Sequence, residues 1–113
     1  MNAIPRKIPL PTKSGLDIIA IDRIIYLEAD GAYVRIFLED QTSIYISKAI
    51  KWFENHLSKQ FDFCRIHNSY ICNINYIEKY IKGDGGQVKM TDGKYLAVSR
   101  ARKKSLLTAL KNL

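Results

Sequence analysis

The sequence has few of the residues on which redox, metal-binding and transmembrane proteins depend. It holds two cysteines, Cys64 and Cys72, which form no Cys-x-x-Cys pair, and two histidines, His56 and His67. No apolar run approaches the ~18 residues that a membrane span needs, and the N-terminal residues lack the apolar core of a signal peptide. We therefore expect buried thiols in a reducing, cytoplasmic setting, with no membrane partner.

Motifs for catalysis and cofactor binding are also lacking. No motif pairs either histidine with a nucleophile or with a set of metal ligands. The glycine-rich stretch 83–86 lacks the Gly-Lys-Ser/Thr ending and the following helix that phosphate-binding loops require, so it is better interpreted as a hairpin turn. The sequence predicts no enzyme, no cofactor, no metal site and no small-molecule substrate.

Acidic residues are missing from the last fifth of the chain. After Asp92 the sequence has no Asp or Glu, whereas six basic residues follow: Lys94, Arg100, Arg102, Lys103, Lys104 and Lys111. These six account for most of the formal net charge of +7. A field of one sign attracts polyanions, above all nucleic acid or an anionic membrane surface, although such a run also occurs as a plain solubilising face.

Length and composition indicate one soluble domain. A chain of 113 residues that is 47% hydrophobic and 26% charged can bury one core but not two. Its three prolines all lie near the start, at Pro5, Pro9 and Pro11. We therefore assign residues 1–13 to a linker or arm, with a short strand at 6–10 within it, and residues 14–113 to the folded domain.

Period-two alternation of apolar residues predicts a mostly β fold. Residues 16–26 fit two strands with a tight corner at Asp22-Arg23, and residues 33–39 and 42–46 fit a hairpin. Residues 77–98 fit a meander, in which Asp92-Gly93 is a strong hairpin signal. The predicted fold class is mostly β, with roughly eight to ten short strands and two helices.

The first predicted helix runs from residue 48 to about residue 57, with Ser47 as its N-cap. Its inward face would carry Ile50, Phe53 and Leu57, and its water-facing side Lys48, Lys51 and Glu54. We expect Trp52 and Phe53 to hold this helix on the sheet.

The second predicted helix covers residues 100–113 and follows a Ser99 cap. Its core side would carry Leu106, Leu107, Leu110 and Leu113. Its basic residues cluster near its N-terminus, where the helix dipole disfavours cations, and this placement suggests an external anion.

Residues 61–77 combine dense apolar residues with a polar centre. Apolar residues from Phe61 to Ile77 imply burial, yet Arg65, His67, Asn68 and Ser69 lie among them. Burying an unpaired polar group costs about 1–3 kcal/mol, so such a group survives best on a short exposed loop between buried anchors. The pattern is typical of a recognition loop.

No helix-turn-helix, zinc-finger, basic-zipper or RNA-binding sheet signature is present. The candidate recognition groups therefore lie on three loops, at residues 31–33, 67–69 and 99–102. Asn suits adenine and Arg suits guanine in a major groove, while Ser and Lys suit phosphates. Two alternatives stay open: an RNA or single-strand binder that stacks bases on Tyr33, Tyr70 or Tyr95, and a protein-interaction module that recruits a partner through exposed aromatics.

Three segments in this order resemble the LytTR DNA-binding domain. They are Ile25-Tyr26-Leu27-Glu28-Ala29-Asp30-Gly31-Ala32-Tyr33, then Phe63-x-Arg65-Ile66-His67-Asn68-Ser69-Tyr70-Ile71-x-Asn73-x-x-x-Ile77, then Asp92-Gly93-x-x-Leu96-x-Val98-Ser99-Arg100. The similarity covers about residues 16 to 112. It implies an elongated, mostly β fold of about ten strands that binds promoter DNA through loops in successive major grooves.

The resemblance also implies residue roles. Asn68 and Arg100 match base-reading positions, and Ser69 matches a phosphate-contacting position. Gly31 and Ala32, followed by Tyr33, match a third inserted loop, although Ala32 offers no polar side chain. His67 fits a structural role better than DNA contact, since it would orient its loop by a hydrogen bond.

The resemblance extends to partners, and the charge pattern adds to the DNA-binding residues. Such domains usually form the C-terminal output domain of bacterial response regulators, bind direct repeats in pairs and dimerise through other parts of the protein. An upstream receiver domain or a dimerisation partner is therefore expected. The basic run adds Arg102 and Lys103 as residues that neutralise phosphates, together with Lys104.

Overall fold

The described part of the chain is a mostly β fold of ten strands and two helices. The computed structural model describes residues 6–57 and 62–113. The strands are β1 (Lys7–Thr12), β2 (Gly15–Ala20), β3 (Ile24–Asp30), β4 (Tyr33–Leu38), β5 (Ser43–Ile46), β6 (Phe63–His67), β7 (Tyr70–Asn73), β8 (Ile77–Ile81), β9 (Gln87–Met90) and β10 (Tyr95–Ala97), and the helices are α1 (Ile50–His56) and α2 (Arg100–Lys111). The predicted fold class is confirmed.

The strands form three antiparallel sheets. β1 pairs with β2, the meander has the order β10-β9-β8, and the five-stranded sheet has the order β5-β4-β3-β7-β6. The predicted corner is present as a short 3₁₀ helix at Ile21–Arg23, and the Asp92-Gly93 hairpin joins β9 to β10. Burial alternates along β4 as predicted, because neighbouring side chains point to opposite faces of a strand.

Two apolar clusters cover the two faces of the five-stranded sheet. Leu27 of β3 belongs to the first cluster, with Leu10 from β1 and Phe53 from α1. Its neighbour Tyr26 belongs to the second cluster, with residues of the meander and Leu106 from α2. The β1–β2 hairpin and α1 therefore pack on one face, while the meander and α2 pack on the other.

Residues 7–12 belong to the fold, which corrects the assignment of residues 1–13 to a linker or arm. β1 pairs with β2 along its whole length, and Ile8 and Leu10 are buried in the first cluster. Pro9 and Pro11 are tolerated because β1 is an edge strand of a two-stranded sheet. Residues 1–5 of the predicted arm, and Phe61, lie outside the described residues.

Helix α1 begins later than predicted, at Ile50 and not at residue 48. Ser47 does not cap it, because the chain is still turning there and the amide of Lys48 donates to the carbonyl of Ile46 at 2.9 Å. Ala49 is the N-cap and offers no side-chain cap hydrogen bond. The predicted inward face is correct, since Phe53 and Leu57 are buried and Ile50 packs against them.

Helix α2 begins directly after Ser99, as predicted, although the Ser99 side chain makes no cap hydrogen bond. Leu106 is fully buried, and Leu110 packs against the second cluster. Leu113 was expected on the core side but is 72% exposed, because the helix ends at Lys111 and the chain leaves the core there.

Native Cys72 is expected to react slowly with thiol reagents. It is fully buried opposite Cys64 across β6 and β7, and burial together with the neighbouring Cys64 raises the pKa of its thiol. The thiolate is the reactive form of cysteine, and the raised pKa leaves little of it at neutral pH. We expect thiol reagents to label both cysteines of the native protein slowly, and Cys72 most slowly. Mass spectrometry that compares labelling of native and denatured protein measures these rates. Fast labelling of Cys72 in the native protein would contradict its burial.

Candidate nucleic-acid interface

The three predicted loops meet at one end of the five-stranded sheet. β3 runs antiparallel to β7, so the end of β3 lies beside the start of β7. There the amide of Ala29 donates to the carbonyl of Ser69 at 2.9 Å. The amide of Ser99 donates to the carbonyl of Ile66, also at 2.9 Å, which places the start of α2 beside the end of β6. These backbone hydrogen bonds and the β3–β7 pairing therefore place all three loops at the same end of the sheet.

The loop at residues 67–69, called here the Asn68 loop (His67, Asn68 and Ser69), presents an exposed side chain on a fixed turn. Asn68 is exposed, whereas Ile66 and Ile71 on either side of the turn are buried. The amide of Ser69 donates to Nδ1 of His67 at 3.0 Å, which is the orienting hydrogen bond expected of this histidine. The Asn68 side chain can therefore contact a ligand without any rearrangement of the buried residues on either side of it.

Tyr70 supports the same loop from its C-terminal side. Its ring lies 5.4 Å from the ring of His67, measured between centroids. Burial and the Glu28 carboxylate, which faces it from β3, raise the pKa of the Tyr70 phenol.

Arg65 holds the Asn68 loop from beneath. Its Nε donates to the carbonyl of His67 at 2.8 Å, and its Nη2 donates to the carbonyl of Asn68 at 2.7 Å. Its Nη1 donates to Oε1 of Glu54 on α1, also at 2.7 Å. Only 12% of the Arg65 side chain is exposed, so its role in the described structure is to fix the loop and not to face solvent.

Arg100 projects from the first turn of α2 into solvent. Its Nη2 lies 3.7 Å from Oδ2 of Asp84, but these side chains are 80% and 87% exposed. An ion pair so exposed contributes little, which leaves the guanidinium available to a ligand. The base of the helix is firmly held, because Val98 is buried and its amide donates to the carbonyl of Gly86 at 3.0 Å.

The basic residues of α2 lie on two different faces. Arg100, Lys103, Lys104 and Lys111 line one surface of the helix, at positions separated by three, four or seven residues. Arg102 lies elsewhere, with Nη1 3.6 Å from Oε2 of Glu54. Nζ of Lys103 donates to the carbonyl of Gly83 at 3.3 Å. The basic residues of α2 therefore divide into two sets. Arg100, Lys103, Lys104 and Lys111 form an exposed stripe, whereas Arg102 is paired with Glu54 of α1.

The Gly31 loop (Gly31, Ala32 and Tyr33) has little polar side-chain chemistry. Gly31 has φ of +60°, which most residues avoid, and all three residues are exposed. Tyr33 packs edge-on against Tyr45, with ring centroids 6.4 Å apart. This loop can approach a ligand closely with its backbone, and its polar side-chain group is the Tyr33 hydroxyl.

Three residues that position this interface were not assigned that role from the sequence. Glu54 was expected to face water, yet it is half-buried and accepts from Arg65. Gly85 was interpreted as part of a hairpin turn, but it packs against the backbone of Val98. For Arg65 the signal was available, since a charged residue between the apolar Cys64 and the buried Ile66 needs a partner.

The described residues, 6–57 and 62–113, lack the features of a metal site and of a membrane-spanning helix. No group of three or more His, Cys, Asp or Glu side chains is placed to hold a metal ion in this part of the chain. Neither described helix is long and apolar enough to cross a membrane.

Comparison with known proteins identifies relatives of this arrangement. The sequence profile of the LytTr DNA-binding domain matches residues 14–111. A solved structure described as the LytTr DNA-binding domain of a response regulator from Bacillus cereus superposes with a TM-score of 0.77, at 24% identity, over 92% of this chain and 95% of that one. No curated protein sequence matches this chain significantly.

Proposed function

This chain belongs to the LytTr DNA-binding domain family, and we propose that it reads a specific duplex sequence through Asn68 and Arg100. One observation carries the proposal: backbone hydrogen bonds gather the three loops at one end of the sheet, with both side chains exposed. The spacing between the loops comes from strand pairing and not from flexible linkers, so the backbone positions of Asn68 and Arg100 are fixed before DNA arrives.

The three loops have different tasks in this proposal. Asn68 can pair bidentately with adenine, and Arg100 can pair with O6 and N7 of guanine. The Ser69 hydroxyl and the backbone of the Gly31 loop contact phosphates, which position the duplex but carry no direct sequence information. His67 orients the Asn68 loop through the Ser69 amide, in preference to contacting DNA.

Duplex affinity is expected to fall steeply with salt, because the exposed stripe on α2 displaces counterions from the phosphates. The logarithm of the binding constant should fall by roughly 0.9 per phosphate contact against the logarithm of salt concentration. Lys103→Ala should therefore reduce the slope by about one. Titrations at several salt concentrations measure it, with Lys13→Ala in the exposed β1–β2 turn as the control of equal charge. Affinity that stays flat between low and physiological salt would rule out phosphate neutralisation by this face.

A second candidate function is binding to single strands or RNA. Exposed aromatic rings favour it, since Tyr33, Tyr45 and Tyr95 are all about half exposed and bases stack on such rings. Tyr70, considered for the same role, packs against the second apolar cluster and is only partly accessible. A third candidate function is a protein-interaction module that recruits its partner through the same exposed aromatic side chains.

Selection from random duplexes, followed by competition, separates these functions. We expect a defined duplex sequence to be enriched, and we expect that duplex to resist competition by single-stranded DNA and by RNA of the same sequence. Equal competition by the single strand would favour the stacking alternative. Binding to protein that survives high salt would favour an interaction module.

We also propose the cellular setting that the family suggests. The chain would act as the output domain of a bacterial response regulator in the cytoplasm, without catalytic activity, downstream of a receiver domain. Two copies would occupy direct repeats in promoter DNA, while the isolated domain would associate only weakly. Analytical ultracentrifugation of the domain, with and without a duplex carrying two selected sites, measures both properties.

A further inference from the structure

We propose that Glu54 and Arg65 are positioning residues for sequence recognition, and that they act by holding the Asn68 loop in register with the start of α2. With Arg102 they form a connected group, called here the Arg65 bracket (Arg65, Glu54 and Arg102). The inference rests on the proposed base reading by Asn68, and it assigns a specificity role to α1, which carries none of the reading side chains.

The first half of the bracket fixes the loop. Arg65 directs its fork at three acceptors at once: the carbonyls of His67 and Asn68 and the Glu54 carboxylate, all within 2.8 Å. A planar guanidinium can satisfy this arrangement, whereas an ammonium on a flexible stem cannot hold the same geometry. Because one acceptor is the carbonyl of Asn68 itself, the guanidinium determines how the backbone of the reading residue is oriented.

The second half of the bracket reaches α2. One Glu54 oxygen accepts from Arg65 at 2.7 Å, and the other lies 3.6 Å from Arg102. Arg102 is two residues after Arg100 on the same rigid helix. Glu54 therefore lies between the element that carries Asn68 and the element that carries Arg100. Its carboxylate attracts a guanidinium group from each side, those of Arg65 and Arg102.

Charge distribution supports a positioning role. Glu54 is half-buried and faces two guanidinium groups, those of Arg65 and Arg102. A carboxylate at a DNA-binding face opposes phosphate binding, so its electrostatic effect on non-specific affinity is unfavourable. Its contacts are instead those of a geometric support, which is of value only when side chains must be held in fixed relative positions.

The test compares affinity for the selected duplex with affinity for a scrambled duplex. Arg65→Lys keeps the charge, and we expect it to lower this specificity ratio about tenfold with an unchanged salt slope. Glu54→Gln should lower the ratio about threefold while non-specific affinity stays equal or rises, because one negative charge is removed. Glu78→Gln is the matched control, since it breaks an ion pair with Lys89, at 3.1 Å, in the meander.

A double-mutant cycle shows whether the bracket acts through Asn68. If it does, Glu54→Gln added to Asn68→Ala should lower the ratio little beyond Asn68→Ala alone, because the side chain being positioned is already gone. Amide hydrogen exchange in Glu54→Gln should also accelerate more at Ser69 than at the buried amides of β4, whereas a loss of overall stability would accelerate exchange at those core amides as well. Glu54→Gln decides the question even if Arg65→Lys does not fold.

The outcomes separate this inference from the function on which it rests. A ratio unchanged by Glu54→Gln and by Arg65→Lys, while Asn68→Ala lowers it, overturns the bracket and leaves base reading intact. Additive losses in the cycle overturn the claim that the bracket acts through Asn68. A ratio unchanged by Asn68→Ala overturns base reading by that residue, and the bracket proposal with it.

Discussion

Asn68→Ala and Arg100→Ala should each lose about 1–3 kcal/mol of binding free energy for the selected duplex, the usual worth of a bidentate base contact. Both side chains project into solvent from fixed supports. Arg65 binds the carbonyl of Asn68 and not its side chain, and the Arg100–Asp84 pair is too exposed to contribute much to folding. The loss should therefore appear in specific binding, with little change in the melting temperature.

Paired titrations against selected and scrambled duplexes measure this effect, with a melting curve for each variant. Lys103→Ala is the informative comparison, because removing a phosphate contact should weaken all sequences about equally. Equal losses of Asn68→Ala on both duplexes would remove Asn68 from the base-reading role. A large fall in melting temperature would show that residues 67–69 form a buried structural turn.

Gly85→Ala should destabilise the fold by about 3 kcal/mol or more. A Cβ at this position would overlap the carbonyl oxygen of Val98 and crowd the backbone of Ser99. These are main-chain atoms that cannot rotate away. Gly85 is also buried, and its carbonyl accepts from the Tyr80 hydroxyl at 2.8 Å. The strain should displace the start of α2, and specific DNA binding should fall with stability.

Gly83→Ala provides the matched control in the same turn. Its Cβ would meet only the backbone of Gly86 at 3.4 and 3.5 Å, which is close to ordinary contact. Chemical denaturation of both variants measures the difference. If Gly85→Ala unfolds at the same denaturant concentration as Gly83→Ala, the packing of this turn against the start of α2 is contradicted.

Strands and hairpins could be predicted because their signals are local. The alternation in residues 33–38 and the Asp92-Gly93 turn each depend on a few neighbouring residues, and both are present in the structure. A short strand was predicted at residues 6–10, but it was assigned to an arm outside the folded domain, whereas β1 packs Ile8 and Leu10 into the core. Proline excludes a central strand but not an edge strand, and strand order is a tertiary property.

Helix ends and faces were predicted less accurately, for a related reason. Ser47 is a good N-cap by residue type, but the turn after β5 places the helix start beyond it. Arg102 and Lys103 are nearly adjacent in sequence, yet they lie on different faces of α2. The period of 3.6 residues would have separated them and would have grouped Lys111 with the exposed stripe.

The resemblance suggested Asn68 and Arg100 as the proposed base-reading residues, but it did not suggest the residues that support them. Arg65 and Glu54 are eleven positions apart in sequence, and no short-range pattern brings them together. Their contact depends on α1 packing beside β6 and β7, which the sequence does not specify locally. Gly85 is similar, because its need for a missing Cβ comes from Val98, thirteen positions later.

The ratio of affinities of the wild-type chain for its selected duplex and for a scrambled duplex, at physiological salt, tests sequence-specific recognition most directly. Specific DNA-binding proteins usually exceed their non-specific affinity by about a thousandfold or more. We expect a ratio in that range, reduced by Asn68→Ala and by Arg100→Ala but not by Lys103→Ala. A ratio near one, with the same affinity for every duplex, would contradict base reading by these loops.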